Sequence, residues 1–368
     1  LAQADREQRR RLLAGHLRDQ LAGVLGICAA ELEPRTPLPM MGLDSLMGTE
    51  LRRRLERSLG RPLSPTLILR HPTLDALTAY IADLDEPVSG DMSMDTRSTA
   101  PGAWVVVPRP EPGARLQLVC FHYAGGGASM YRDWPALLGP QVEVCAVQLP
   151  GREERIDEPA LTRMEPLLDA LVAALLPRLR GPFVCFGHSM GALVAVELAR
   201  RLAAEGRPGP AHLFVSGCPG PAAYVPGEAL HGLGDAEFRA ALRRHGGTPE
   251  AVLQDEALMA LLVPLLRADF GVAERWAYRS GPALGCSITG FAGEADPIAV
   301  PEQVRAFAAE TTGRFDLRCF SGDHFFVNSA RAAVVAAVRA ELVRSGLIGE
   351  GLPGEPAPRL HHERGARV

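Results

Sequence analysis

Six short apolar runs recur between residues 103 and about 347: Leu116–Phe121, Val142–Gln148, Phe183–Phe186, Leu213–Ser216, Ser287–Phe291 and Phe315–Phe320. Each is too short for a helix and rich in apolar residues, so each reads as a strand. Helical spacing of apolar residues fills the intervals 163–179, 191–205 and 302–311. Strands that alternate with helices join as parallel neighbours, and the helices cross over both faces of the sheet. The segment is thereby restricted to a mostly parallel α/β sheet. From about Glu228 to Trp276 the rhythm breaks, and helical patterns succeed one another with no strand. That interval is expected to be a helical insertion acting as a lid.

Residues 1–86 have no such strands. Leu12, Leu13, Leu17, Leu21, Val24 and Leu25 recur at helical spacing. Asp44 and Ser45 open a second helix carrying Leu46, Leu51 and Leu55. Ser64-Pro65-Thr66 starts a third, and Thr73 is placed to cap a fourth that ends near Asp83. The pattern predicts a small all-α four-helix bundle. Residues 87–102 are rich in Ser, Gly, Asp, Thr and Pro and read as a flexible linker. The tail 348–368, mostly Pro, Gly, Arg and His, is expected to be disordered. A length of 368 residues allows two or three domains at ~150 residues each. These shifts reduce that to 1–86 and 103–347. The chain starts at Leu1 without an initiator Met, which predicts that it was cut from a longer polypeptide.

Composition removes several functions. The 39 basic and 43 acidic residues leave a net charge of −4 with no long run of either sign. That balance gives no electrostatic reason to expect nucleic acid or an anionic membrane as a partner. Every basic residue is arginine, so lysine Schiff bases and lysine phosphate grips are excluded. No stretch reaches ~18 uninterrupted apolar residues, and the N-terminus lacks a signal-peptide core. Seven cysteines show no metal-ligand spacing; they are expected to be buried small hydrophobes. An odd number of buried thiols favours a reducing cytoplasm.

Gly187-His188-Ser189-Met190-Gly191 follows an apolar strand and precedes a helix. That context makes G-x-S-x-G a nucleophile elbow, in which glycines permit a tight turn and the serine is pushed out of the sheet. The serine hydroxyl needs a histidine base and a carboxylate that fixes the base's tautomer. In the α/β-hydrolase fold, the order is serine, acid, histidine. Four histidines follow within the domain: His212, His231, His245 and His324. His212 abuts a strand, and His231 and His245 fall in the insertion. His324 alone lies in a loop just after the last strand, where the base belongs. The acid has three candidates: Asp296, just past a strand; Asp269, in the insertion; and Asp323, beside the base. Strand-end position favours Asp296. Asp269 then reads as a structural charge paired with an arginine. The oxyanion requires amides, one from Met190 and a second from the glycine-rich loop after Phe121, assigned to Ala124.

Gly42-Leu43-Asp44-Ser45-Leu46 places a serine in the first turn of a helix, where unpaired amides favour an anionic substituent. Alone, Asp44 and Ser45 could equally be a cap pair. The run Gly42 to Leu55, followed by His71-Pro72-Thr73-Leu74, resembles the acyl carrier protein domains of modular polyketide synthases. Gly48 is smaller than the residue usual there. The resemblance implies 4′-phosphopantetheine on Ser45, with Asp44 beside it, added by a separate phosphopantetheinyl transferase.

Phe121-His122-Tyr123-Ala124-Gly125-Gly126-Gly127, Gln148 to Glu153, Gly187 to Ala192, Leu266-Arg267-Ala268-Asp269-Phe270 and Gly322-Asp323-His324-Phe325-Phe326 look like the type II thioesterases of polyketide and nonribosomal peptide synthases. Two departures stand out. Tyr123 replaces a common proline-histidine pair and is expected to narrow the pocket mouth. The domain is also joined to its own carrier, whereas type II thioesterases are typically free-standing. Together the resemblances imply the end of a synthase, fed by upstream modules with an acyl or polyketide chain. The chain would be released from Ser45 through a Ser189 acyl-enzyme, by hydrolysis to the free acid. Cyclisation, editing of stalled acyl groups, and an inactive docking module remain open alternatives. A linker holds the carrier at roughly millimolar local concentration, so weak docking suffices.

Overall fold

The computed structural model describes residues 6–64, 67–83, 103–224, 229–278 and 281–350. The expected linker and most of the expected tail lie outside these residues.

The N-terminal region is helical. Helix α1 spans Arg6–Leu25, α2 Ser45–Leu59, α3 Leu67–Arg70 and α4 Leu74–Asp83. Leu13, Leu17, Leu21, Leu51 and Leu55 of the expected series bury their side chains in one cluster with Leu38, Leu77 and Ile81, whereas Leu12 and Leu46 of the same series point to solvent. Asp44 caps α2 by accepting from the Met47 amide at 2.8 Å. The Thr73 hydroxyl accepts from the Ala76 amide at 3.1 Å at the start of α4.

The second region is a seven-stranded sheet in the order β1-β3-β2-β4-β5-β6-β7. The strands are β1 Val105–Val106, β2 Leu116–Phe121, β3 Val142–Val147, β4 Phe183–His188, β5 His212–Ser216, β6 Ser287–Gly293 and β7 Phe315–Phe320. All neighbours are parallel except β1, which pairs antiparallel with β3. The six expected strands are present within a residue or two at their ends. The two-residue β1 gives no periodic signal and was not expected.

The alternation of strand side chains divides the core into two layers. Val119 and Phe121 of β2 face one layer with Leu167 and Leu171 of α6 (Met164–Leu175) and Leu198 of α7 (Met190–Ala204). Leu118 and Cys120 face the other, with Trp134 of α5 (Trp134–Leu138) and Val334 and Val338 of the C-terminal helix Arg331–Arg344. Ile348 also packs there, and the Gly349 amide donates to the Gln141 side chain at 2.8 Å. The packed chain thus continues past residue 347, where the tail was expected to start, because Ile348 supplies one more apolar contact.

Between β5 and β6 come α8 (Asp235–His245), α9 (Glu250–Leu253) and α10 (Glu256–Glu274), with no strand among the described residues. They share a separate apolar cluster built on Phe238, Met259 and Leu266. Among the described residues, no helix is long and apolar enough to cross a membrane. Cys120, Cys145, Cys185 and Cys218 are buried as expected, but Cys28 and Cys319 are exposed. Cys28 precedes a surface turn, and Cys319 lies near the end of β7, the strand at the edge of the sheet.

Candidate active site

Strand β4 ends at His188, and the chain turns at Ser189 into α7. Ser189 has φ 55° and ψ −122°, a left-handed backbone that a serine adopts only under constraint. The constraint is steric. A Cβ on Gly187 would sit 2.2 Å from the Gly191 carbonyl oxygen, and one on Gly191 would sit 2.3 Å from that of Phe121. The two glycines therefore let the turn press against β2.

Ser189 follows β4, Asp296 follows β6 and His324 follows β7, so strands β4, β6 and β7, with β5 between the first two, deliver three side chains to the carboxyl edge of the sheet. The Ser189 hydroxyl lies 3.0 Å from His324 Nε2, and His324 Nδ1–H donates to Asp296 Oδ2 at 2.9 Å. The other carboxylate oxygen accepts from the amides of Ile298 and Ala299 at 2.8 and 3.1 Å. Burial pushes the Asp296 carboxyl up. The bond and charge attraction from His324, with those two amides, outweigh burial and hold it below the ordinary range. A carboxylate that stays ionised keeps the Nδ1–H tautomer and leaves Nε2 free to accept the serine proton.

None of the other candidates is hydrogen-bonded to Ser189, and His245 lines the wall of a cavity beside His324. His212 is buried against the Thr289 hydroxyl at 2.9 Å, and His231 pairs with Glu274 at 2.6 Å. His245 ends α8 beside Phe270. The Asp323 carboxylate accepts from the Phe325 amide, turned into its own loop.

Asp269 is buried and binds Arg152 through both oxygens at 2.8 Å. Its Oδ2 also accepts from the Gly125 amide at 2.7 Å, and Arg152 donates to the Gly126 carbonyl at 3.1 Å. The pairing with an arginine was expected. Its attachment to both sides of the 122–127 loop was not, since nothing in the sequence joins positions 117 residues apart. The pair fixes the loop that carries Ala124. Met190 begins α7, among the amides that no intrahelical carbonyl accepts.

His188 escaped the sequence reading. It is fully buried, accepts from the Ser216 hydroxyl at 2.8 Å and donates through Nε2 to the His324 carbonyl at 2.8 Å. Burial, reinforced by the nearby His324, lowers its pKa to about 3, so the ring is neutral and braces the backbone of His324. The only sequence signal was its place within the G-x-S-x-G motif.

An apolar cavity of about 190 Å³ opens beside this group. Tyr123, Ala124 and Gly125 line one side, Phe325 another, and Leu242, Val252, Leu262 and Phe270 of the inserted helices the rest. The Tyr123 hydroxyl accepts from Asn328 at 3.0 Å, which places the ring edge-on to His188 and Phe325.

At the far end of the chain, Ser45 starts α2 behind the Asp44 cap. A second cavity, about 470 Å³, has Gly42, Leu43, Asp44 and Gly48 in its wall. An extended anionic substituent fits a helix start that borders such a space.

Residues 116–342, more than half of the chain, match the thioesterase domain family, and residues 16–81 match the phosphopantetheine attachment site. The thioesterase PikA5 of Streptomyces venezuelae is 40% identical over 228 residues, 62% of this chain and 81% of that one. The antimetabolite synthetase AmbE of Pseudomonas aeruginosa is 33% identical over 363 residues, which is 91% of this chain and 17% of the synthetase. The structure of BorB, a type II thioesterase from the borrelidin biosynthetic cluster, is 39% identical with a TM-score of 0.60 and covers 67% of this chain and all of BorB. The sheet, the strand-end site and these matches agree: the chain belongs to the thioesterase family of α/β-hydrolase fold, carries its own phosphopantetheine-attachment domain, and is a hydrolase of carrier-bound acyl thioesters.

Proposed function

We propose that Ser189, His324 and Asp296 are the nucleophile, base and orienting acid of an acyl transfer, and that Ser45 is the attachment residue of the carrier. The observation that carries this is the unbroken hydrogen-bonded series Ser189–His324–Asp296 at 3.0 and 2.9 Å. Bound at Ser45, phosphopantetheine supplies a terminal thiol that holds the acyl group as a thioester. Asp44 and the first turn of α2 would flank its phosphate.

His324 takes the Ser189 proton as Oγ attacks the acyl carbonyl, and gives it to the departing sulfur. The amides of Met190 and Ala124 hold the oxyanion. His324 then deprotonates water, which resolves the Ser189 ester to the free acid. The inserted helices act as a lid whose leucines receive the acyl chain. The functional units are 1–86 and a thioesterase unit that runs from 103 through Gly349, fed by upstream synthase modules and modified by a phosphopantetheinyl transferase. The cavity of about 190 Å³ is smaller than the ~300 Å³ at which drug-sized pockets begin. That volume favours short acyl groups, so removal of short stalled chains is a second reading.

The test is product mass from holo protein loaded with short and long acyl groups, with a fluorophosphonate probe on the apo chain. Free acids and labelling at Ser189 are expected. Lactone products would overturn the hydrolytic mode, and an unlabelled Ser189 would overturn the nucleophile.

A further inference from the structure

The carrier region sits against the thioesterase region through charged residues. Arg52 of α2 lies 3.0 Å from Asp255, the residue that caps α10, and each side chain is only 15% exposed. Arg70 lies 3.4 Å from Asp157 in a more open pair. The cavity of about 470 Å³ lies between the two regions. Gly42 and Asp44 stand on its carrier side, and Arg132 and Arg331 stand opposite. A Cβ on Gly42 would be 3.5 Å from the Arg132 guanidinium. Both arginines lean on one carboxylate, Asp133. The Arg331 Nε is buried and has no hydrogen-bond partner among the described residues. The remaining charged residues of the cavity are engaged: Asp44 by the Met47 amide, Glu153 by Ser129, and Arg152 by Asp269.

We propose that the carrier docks on its own thioesterase in cis through Arg52 and Asp255, and that Arg132 and Arg331 bind the phosphodiester on Ser45. The inference rests on Ser45 as the attachment residue. Two guanidiniums sharing one carboxylate leave one positive charge, which a phosphodiester monoanion matches. Tyr123, Gly125, Leu262 and Leu265 line both this cavity and the apolar pocket beside the triad, so the two spaces adjoin. The docked pose therefore brings the carrier's modified helix start to the wall of the acyl pocket.

The test is ³¹P NMR of the full chain, modified from coenzyme A by a transferase but carrying no acyl group. The phosphodiester resonance is expected to move in Arg132→Gln and Arg331→Gln. It should move the same way in Arg52→Ala and Asp255→Asn, the last of which keeps a cap for α10. A resonance that stays fixed in all four overturns the proposal, and one that moves only in the arginine-site variants overturns the docking. A phosphodiester signal that persists in Ser45→Ala overturns the attachment reading and the proposal with it. Single-turnover release, divided by each variant's rate on a free N-acetylcysteamine thioester, gives a second readout. This ratio should fall about fivefold in Arg52→Ala or Asp255→Asn and no further in the double variant. Multiplicative losses would show that the two residues act separately.

Discussion

Removing the Asp269 carboxylate should damage both stability and turnover, by different amounts in different variants. Asp269→Ala leaves the buried Arg152 with only the carbonyls of Pro150 and Gly126 as partners. Breaking a buried pair in this way costs about 3–5 kcal/mol. The Gly125 amide also loses its 2.7 Å acceptor, and the loop bearing Ala124 is freed on one side. One oxyanion donor is worth about 10²–10³ in kcat, so a loosened donor should lower kcat by about 10² with little change in KM. Asp269→Asn retains an oxygen for Gly125 but not the charge, and should fall between the parent and Asp269→Ala. Guanidinium unfolding followed by tryptophan fluorescence gives the stability. Hydrolysis of a short acyl N-acetylcysteamine thioester gives kcat and KM. An Asp269→Ala protein within about 0.5 kcal/mol of the parent and with unchanged kcat would refute the idea that the pair holds the loop.

Three further outcomes follow from the same geometry. Asp296→Asn should lower single-turnover acyl transfer by about 10⁴, since an amide cannot keep His324 in the required tautomer; a loss under tenfold would contradict that role. Gly187→Ala and Gly191→Ala should each destabilise by about 3 kcal/mol or more, because the added carbon meets backbone at 2.2–2.3 Å; denaturation midpoints equal to the parent's would contradict the packing. Stability should also depend on pH through buried histidines. His188 is held at about 3, and His122 and His212 at about 4, all by burial first. Their folded values lie below the unfolded ~6.5, so the unfolded chain binds more protons and stability falls as pH drops from 6.5 toward 4. Each contributes up to about 1.4 kcal/mol per pH unit, and buried Glu153 and Glu341, whose carboxyls burial raises, act in the opposite sense. His212→Gln should reduce the measured slope between pH 4.5 and 6.5; an unchanged slope would contradict its burial as a neutral ring.

Much of this was legible in the sequence because the deciding signals are local. A parallel strand buried on both faces is almost continuously apolar, so β2 could be bounded to the residue. The elbow was legible because glycines at 187 and 191 are required by contacts within one turn and its neighbour strand. Asp296 and His324 could be proposed because the loops after β6 and β7 open at the same carboxyl edge of the sheet as Ser189. Relations set by packing across the fold were not legible. Nothing in the order of residues joins Arg152 to Asp269, Arg52 to Asp255, or His188 to the backbone of His324. The two-residue β1 and the late contact of Ile348 escaped for a related reason: each is too short to show a period, and its place is set by the sheet it meets.

The central claim is that one chain both carries the acyl group and releases it through Ser189. Intact mass spectrometry of the acylated holo protein over time tests it most directly, with the parent and Ser189→Ala side by side. The account predicts that the parent loses the acyl mass while Ser189→Ala retains it on the peptide containing Ser45. Equal loss from both proteins would contradict it.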